Sequence, residues 1–158
     1  CRPARAMARV RQAKKAERAT TKARKEAIKT IAQLIADAQI VFNAFIRERD
    51  KGKGCFVCGR PFTDKPGQVQ HAGHVRSRGA AGHLRFNEDN CHGECEGCNG
   101  PHGAKPHQIE AGAIARIGAE RYAELCADNT PHKWQRDELI AIKHTYRAKL
   151  KELKGRTC

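Results

Sequence analysis

Two C-x2-C pairs set the terms on which this chain can fold. "CFVC" holds Cys55 and Cys58, "CEGC" holds Cys95 and Cys98, and 36 residues separate the pairs. A thiolate pair at this spacing grips one metal from a tight turn, and two pairs complete a tetrahedral sulfur shell suited to zinc. The remaining sequence needs such a staple. Only 39% of the 158 residues are apolar and 5% aromatic, which is thin material for one large core. In small zinc domains the metal supplies on the order of 10 kcal/mol of folding energy. A closed four-thiolate shell has no open position, so this zinc is expected to be structural. Cys91, Cys126 and Cys158 read as ordinary thiols and Cys1 as a remnant of another zinc module.

Charge points to the partner. The formal net charge is +14, and residues 1–30 hold eleven Lys/Arg against two Glu. That asymmetry predicts a polyanion, most simply nucleic acid. Lys14, Lys15, Arg18 and Lys22 on the basic stretch, with Arg76, Arg78 and Arg85 further on, are the expected phosphate contacts. The stretch is alanine-rich and lacks a Trp/Phe/Leu face, which argues against a membrane surface. With no hydrophobic run of spanning length and no signal-peptide pattern, a soluble, intracellular protein with reduced thiols is expected. The chain opens on Cys1 rather than methionine, so we expect an upstream portion.

The sequence divides into three parts. Residues 1–50 carry no Gly or Pro after Pro3 and read as one long basic helix or two nearly in line. Ile28, Ile31, Ile35, Ala38, Phe42 and Phe45 form one apolar stripe, which favours docking on the rest of the chain over a coiled-coil seam and leaves dimerisation open. Residues 51–105, opened by "KGKG", hold the knuckles, with short strands expected at 56–57 and 69–75. Residues 106–158 return to helical spacing: Ile109, Ala113, Ile114 and Ile117, then Tyr122 and Leu125, then Leu139, Ile142, Tyr146, Leu150 and Leu153. The fold class expected is α+β, mainly helical: a small zinc-stapled ββα-metal core flanked by a basic N-terminal helix and C-terminal helices.

Any catalysis must come from between the knuckles, where His71, His74, His83 and His92 stand among Arg76, Arg78, Arg85, Glu88, Asn90 and Asn99. A strand ending in histidine, a loop, and a knuckle opening a helix is the layout of a ββα-metal nuclease site. In such a site one imidazole takes a proton from water while a hard cation stabilises the phosphate.

The motifs "FNAFIRERD" (42–50), C-x2-C, "AGH" (72–74), "LRFNEDN-x-H" (84–92), "C-x2-CN" (95–99), "IARIGAE" (114–120) and "HKW" (132–134) together resemble the phage NinG (Rap) recombination nuclease family. The resemblance runs from about residue 40 to the C-terminus. Two knuckles, a strand histidine between them and an asparagine after the last cysteine are also similar to recombination endonuclease VII. The resemblance implies a phage protein in the cytoplasm of a bacterial host, acting on branched DNA such as Holliday junctions and D-loops. Two symmetric nicks would favour a homodimer, with the Ile28–Phe45 stripe and the last helix as candidate interfaces.

Carried over by position, His74 would be the general base, and Asn90 would hold the loop that presents it. Asn99, at the start of the knuckle helix, would offer an oxygen to Mg²⁺ or Mn²⁺; a helix N-cap is its structural alternative. Arg85 and Glu88 would hold the loop or contact phosphate, and His92 would be either a second metal ligand or a structural hydrogen-bond donor. His83, His102, His107, His132 and His144 read as surface or core residues.

Two departures stand out. The family can carry Asp where this chain has His71, and related nucleases place a carboxylate beside the base, where this chain has Gly73. His71 is then either a substitute ligand, favouring a softer ion, or a sign of weak metal binding. It shares a site with His74 only if Gly73 marks a bulge. Past "CN" the chain reads "GPHGAK" instead of a Lys-Ser-Gly-Asn-like stretch. Rival readings are a general HNH nicking enzyme and a zinc-stapled DNA-binding protein that does not cut.

Overall fold

A computed structural model describes residues 2–100 and 102–156; the expectations for Cys1 and Cys158 lie outside them. The elements in order are α1 (Arg2–Ala27), α2 (Ile31–Asp50), β1 (Gln70–His74), a 3-10 turn (Gly82–Leu84), β2 (Cys91–Cys95), α3 (Glu96–Asn99), α4 (Pro106–Ile117), α5 (Ala119–Ala127) and α6 (Arg136–Gly155). Among the described residues the protein is α+β and mainly helical around one small sheet, as the helical spacings on either side of the knuckles predict.

The basic N-terminal stretch is two helices, not one. No Gly or Pro divides them; a capping box does. Gln33 N–H donates to Thr30 Oγ1 (3.2 Å), and Thr30 N–H donates to Gln33 Oε1 (2.9 Å), so α2 starts on its own cap. The break shifts the apolar stripe. Ile28 and Ile31 are 80% and 40% exposed, while Leu34, Ala38, Phe42, Phe45 and Ile46 are buried.

That stripe packs on α6 through Leu139 and Tyr146, with Ile142, Leu150 and Leu153 at the margin. Phe42 meets Tyr146 edge-on at 4.7 Å between ring centroids, and Phe86 packs on Trp134 at 5.0 Å. The α2 and α6 faces suggested as dimer interfaces therefore cover each other.

The sheet is an antiparallel ribbon with Gln70 opposite Cys95, Gly73 opposite His92 and His74 opposite Cys91. Its second strand is Cys91–Cys95; residues 56–57 form a turn, with Phe56 N–H donating to Gly93 O at 2.9 Å. The five pairs run in unbroken register, so Gly73 marks no bulge. The sheet is pinned to α2 by Asp50, whose carboxylate accepts from Gly93 N–H (2.8 Å) and from Arg49 (2.7 and 2.9 Å). Although burial opposes its charge, Arg49 and the Gly93 N–H hold its pKa down at about 2.

Candidate functional site

The knuckles converge. Sulfurs of Cys55, Cys58, Cys95 and Cys98 all lie within 4.8 Å of one another, and Cys58 and Cys95 Sγ are 3.8 Å apart. Tetrahedral zinc with bonds of about 2.3 Å spaces its sulfurs by roughly 3.8 Å, so the donor set could hold a structural metal such as zinc. Each pair sits in a local turn: Gly59 N–H donates to Cys55 O in the first, and Glu96 and Gly97 N–H donate to Val69 and Gly67 carbonyls around the second. Cys91 lies outside the cluster, a buried thiol whose pKa is pushed up to about 12 by desolvation.

Beside the sheet lies a polar cleft of about 380 Å³ lined by Asn43, Arg47, His71, Ala72, His74, Ser77, Arg78 and Asn99. Three elements, α2, β1 and α3, and the loop after β1 contribute to it. His71 and His74 both line the cleft although the strand between them has no bulge.

His74 is held by its outer nitrogen. Its Nε2 is 3.0 Å from the Arg85 carbonyl oxygen, which can only accept, so the neutral ring carries its proton on Nε2 and leaves Nδ1 as the lone pair. Cys91 Sγ is 3.9 Å from that Nδ1. Burial, reinforced by the charges of Arg78 and Arg85, lowers the His74 pKa below the ordinary value, against the opposing pull of the Arg85 carbonyl. The ring is neutral at neutral pH.

Asn90 holds the loop behind His74. Wholly buried, it accepts from Arg76 N–H (2.8 Å) and donates to the carbonyls of Arg76 and Leu84 (both 3.1 Å). Both side-chain ends are used, so the segment from 76 to 84 is tied to the foot of β2.

Asn99 is exposed at the last position of the one-turn helix α3, which Gly100 ends. It is neither at the start of a helix nor an N-cap. His92 does not line the cleft: its Nε2 bonds the Asp89 carbonyl (2.9 Å), its ring packs on Phe56, and Nδ1 sits 3.3 Å from Arg49. Of its two expected roles the structural one matches this environment. Desolvation and the Arg49 charge bring its pKa down to about 4.

Among the arginines, Arg78 is exposed on the cleft rim, and Arg85 donates to Gln39 Oε1 at 3.3 Å. Arg76 departs from its expected phosphate role. Its guanidinium donates to the Leu125 and Asp128 carbonyls and to Asn129 Oδ1 (2.7 Å), closing the C-terminal end of α5. Glu88 bonds Tyr146 (3.3 Å) and Lys149 (2.5 Å), tying the loop to α6. Lys14, Lys15, Arg18 and Lys22 are exposed along α1.

Three cleft or near-cleft residues escaped the sequence reading. Asn43 and Arg47 stand four apart on α2, on the side away from its core stripe, a spacing visible within "FNAFIRERD". Glu94 is 4% exposed, and burial, with the Cys58 charge adding, pushes its pKa up to about 7. Only the strand pairing reveals it.

Fold and site together define a small α+β protein with a four-cysteine, zinc-type staple and a basic, histidine-bearing cleft beside it. The chain belongs to the family described as bacteriophage lambda NinG protein, whose family model matches residues 2–156. It is 40% identical over 136 residues to protein ninG of Escherichia phage lambda, covering 85% of this chain and 64% of that protein. Protein ninG of Escherichia phage 933W is 39% identical over 136 residues (85% and 65%), and that of Salmonella phage P22 is 38% identical over 133 residues (84% and 64%). The chain thus spans just under two thirds of the length of these relatives. No solved structure matches it. Among the described residues no helix is long and apolar enough to cross a membrane.

Proposed function

We propose that this protein is a structure-selective, metal-dependent DNA endonuclease that hydrolyses phosphodiesters in branched recombination intermediates. The observation that carries the reading is His74: a neutral imidazole with Nε2 on the Arg85 carbonyl and an unprotonated Nδ1 whose neighbour is the weakly donating Cys91 thiol at 3.9 Å, in a cleft shared with His71, Asn99, Arg47 and Arg78.

Each group has a task. Arg47 and Arg78 bind phosphate oxygens and seat the strand in the cleft, while α1 runs its cations along the backbone. Such contacts carry shape rather than sequence. His74 Nδ1 takes the proton of the attacking water, the water oxygen bonds phosphorus, and the leaving oxygen departs with a proton from solvent. The carbonyl of Arg85 stabilises the imidazolium that results, and Asn90 keeps that carbonyl's loop in place. His71 and Asn99 would hold a divalent cation, Mn²⁺ or Mg²⁺, which when bound stabilises negative charge on the phosphate. The cysteine cluster, with a closed shell, takes no part beyond folding.

The reading is tested by incubating a labelled four-way junction and a linear duplex of the same sequence with the protein and Mg²⁺, Mn²⁺ or excess chelator. Nicks in the junction that need the metal support it. Equal cutting of both substrates would make the protein a general nicking enzyme. Binding without cutting under either ion would leave a zinc-stapled binder of branched DNA.

A further inference from the structure

The cleft lining contains no carboxylate, an odd gap for a site meant to hold a hard cation. The missing group stands one strand away. His71 pairs in register with Glu94, and Gly73 pairs with His92 on the next rung of the same face. A Cβ at position 73 would overlap the carboxylate oxygen and the Cβ of Glu94. The Glu94 side chain therefore lies across the ribbon over the Cα of Gly73, filling the room that a side chain on β1 would take, on the same face as its pairing partner His71, which lines the cleft.

Glu94 is 4% exposed. Among the described residues nothing donates a hydrogen bond to it. Its oxygens are not sealed, however. Every side-chain polar atom wholly cut off from solvent among the described residues has a partner, so a carboxylate without one keeps an opening. Burying a carboxylate with neither donor nor cation opposes folding, and a purely structural role would call for a donor that is absent here.

We infer that Glu94 is a ligand of a divalent cation held with His71 and Asn99, delivered from β2 into the space that Gly73 leaves in β1. One carboxylate oxygen, one amide oxygen and one imidazole suit Mn²⁺. The gap beside the general base is then no loss: the carboxylate arrives from the opposite strand, and glycine at 73 is the condition for its arrival. The use of the cation rests on the nuclease reading above; the site itself rests on this geometry.

The test is Mn²⁺ binding to the zinc-loaded chain, followed by calorimetry and by the electron paramagnetic signal of free Mn²⁺. Wild type should bind one Mn²⁺ and melt at a higher temperature with it. Glu94→Gln should weaken binding by about 100-fold or more, beyond the range for outer-shell partners, and lose the Mn²⁺-dependent rise in melting temperature while keeping its zinc. Gly73→Ala keeps the carboxylate but displaces it, and should show the same loss. Mn²⁺ binding to Glu94→Gln as tight as to wild type overturns the inference, as does a wild type that binds none. Mn²⁺ bound through Glu94 by a protein that leaves junction DNA uncut would sustain the site and overturn the nuclease reading. Mn²⁺-dependent cutting that Glu94→Gln shares at unchanged affinity would do the reverse.

Discussion

His74 Nε2 lies 3.0 Å from the carbonyl oxygen of Arg85, eleven residues along the chain. That contact fixes the tautomer, and Asn90 fixes the contact by clamping the intervening loop at Arg76 and Leu84. Asn90→Ala leaves the N–H and the carbonyl of Arg76 without these partners, while the Leu84 carbonyl keeps only the Asn87 N–H. We expect a loss of about 2–4 kcal/mol in urea unfolding. Asn90→Asp, which turns an acceptor toward two carbonyls, should be at least as harmful. A loss below about 0.5 kcal/mol in either would contradict the clamp.

The four-thiolate cluster predicts one zinc per chain and a fold that depends on it. Stripping the metal with a strong chelator should abolish cooperative melting of the β1–β2 region, since structural zinc contributes on the order of 10 kcal/mol. Metal analysis and thermal melting check this together. Zinc-free protein with an unchanged melt would count against it.

His92 gives stability a pH dependence of known sign. Its pKa is about 4 in the fold and about 6.5 in an unfolded chain. As pH falls from 6.5 toward 4 the unfolded state takes up a proton that the folded state refuses, so stability falls across that window and then levels. The contribution is about 3 kcal/mol. The wild-type curve minus that of His92→Gln, from denaturant midpoints, should show this slope. A flat difference would show that His92 is not held neutral.

How much of this was legible varies with the range of the interaction. The knuckles were readable because C-x2-C encodes its geometry within four residues, and the α6 stripe because a helix repeats. The break at Thr30 was hidden, since side-chain hydrogen bonds make it rather than a helix breaker, and the stripe was misplaced toward Ile28 and Ile31 as a result. Strand β2, "CHGEC", is buried at all five positions, so it lacks the alternation that betrays a half-exposed strand. Arg76 read as a phosphate contact because its carbonyl partners lie 49 and 52 residues away. Glu94 was unreadable for the same reason: only the register brings it over Gly73.

The cations of α1 should set the salt dependence of DNA binding. Changing Lys14, Lys15, Arg18 and Lys22 to Gln should reduce the slope of log K against log salt by about 3 to 4 on duplex DNA, uniformly across sequences. Fluorescence anisotropy over a salt series measures it. An unchanged slope would remove α1 from the interface.

Whether His74 acts as the general base is decided by single-turnover cleavage of a labelled four-way junction with Mn²⁺ by wild type and by His74→Ala. Wild type should nick the junction in a way that chelator abolishes, and His74→Ala should cut about 10²–10⁴-fold more slowly, with zinc content and junction binding retained. Equal rates for the two proteins, or tight binding by wild type with no nick, would contradict that role.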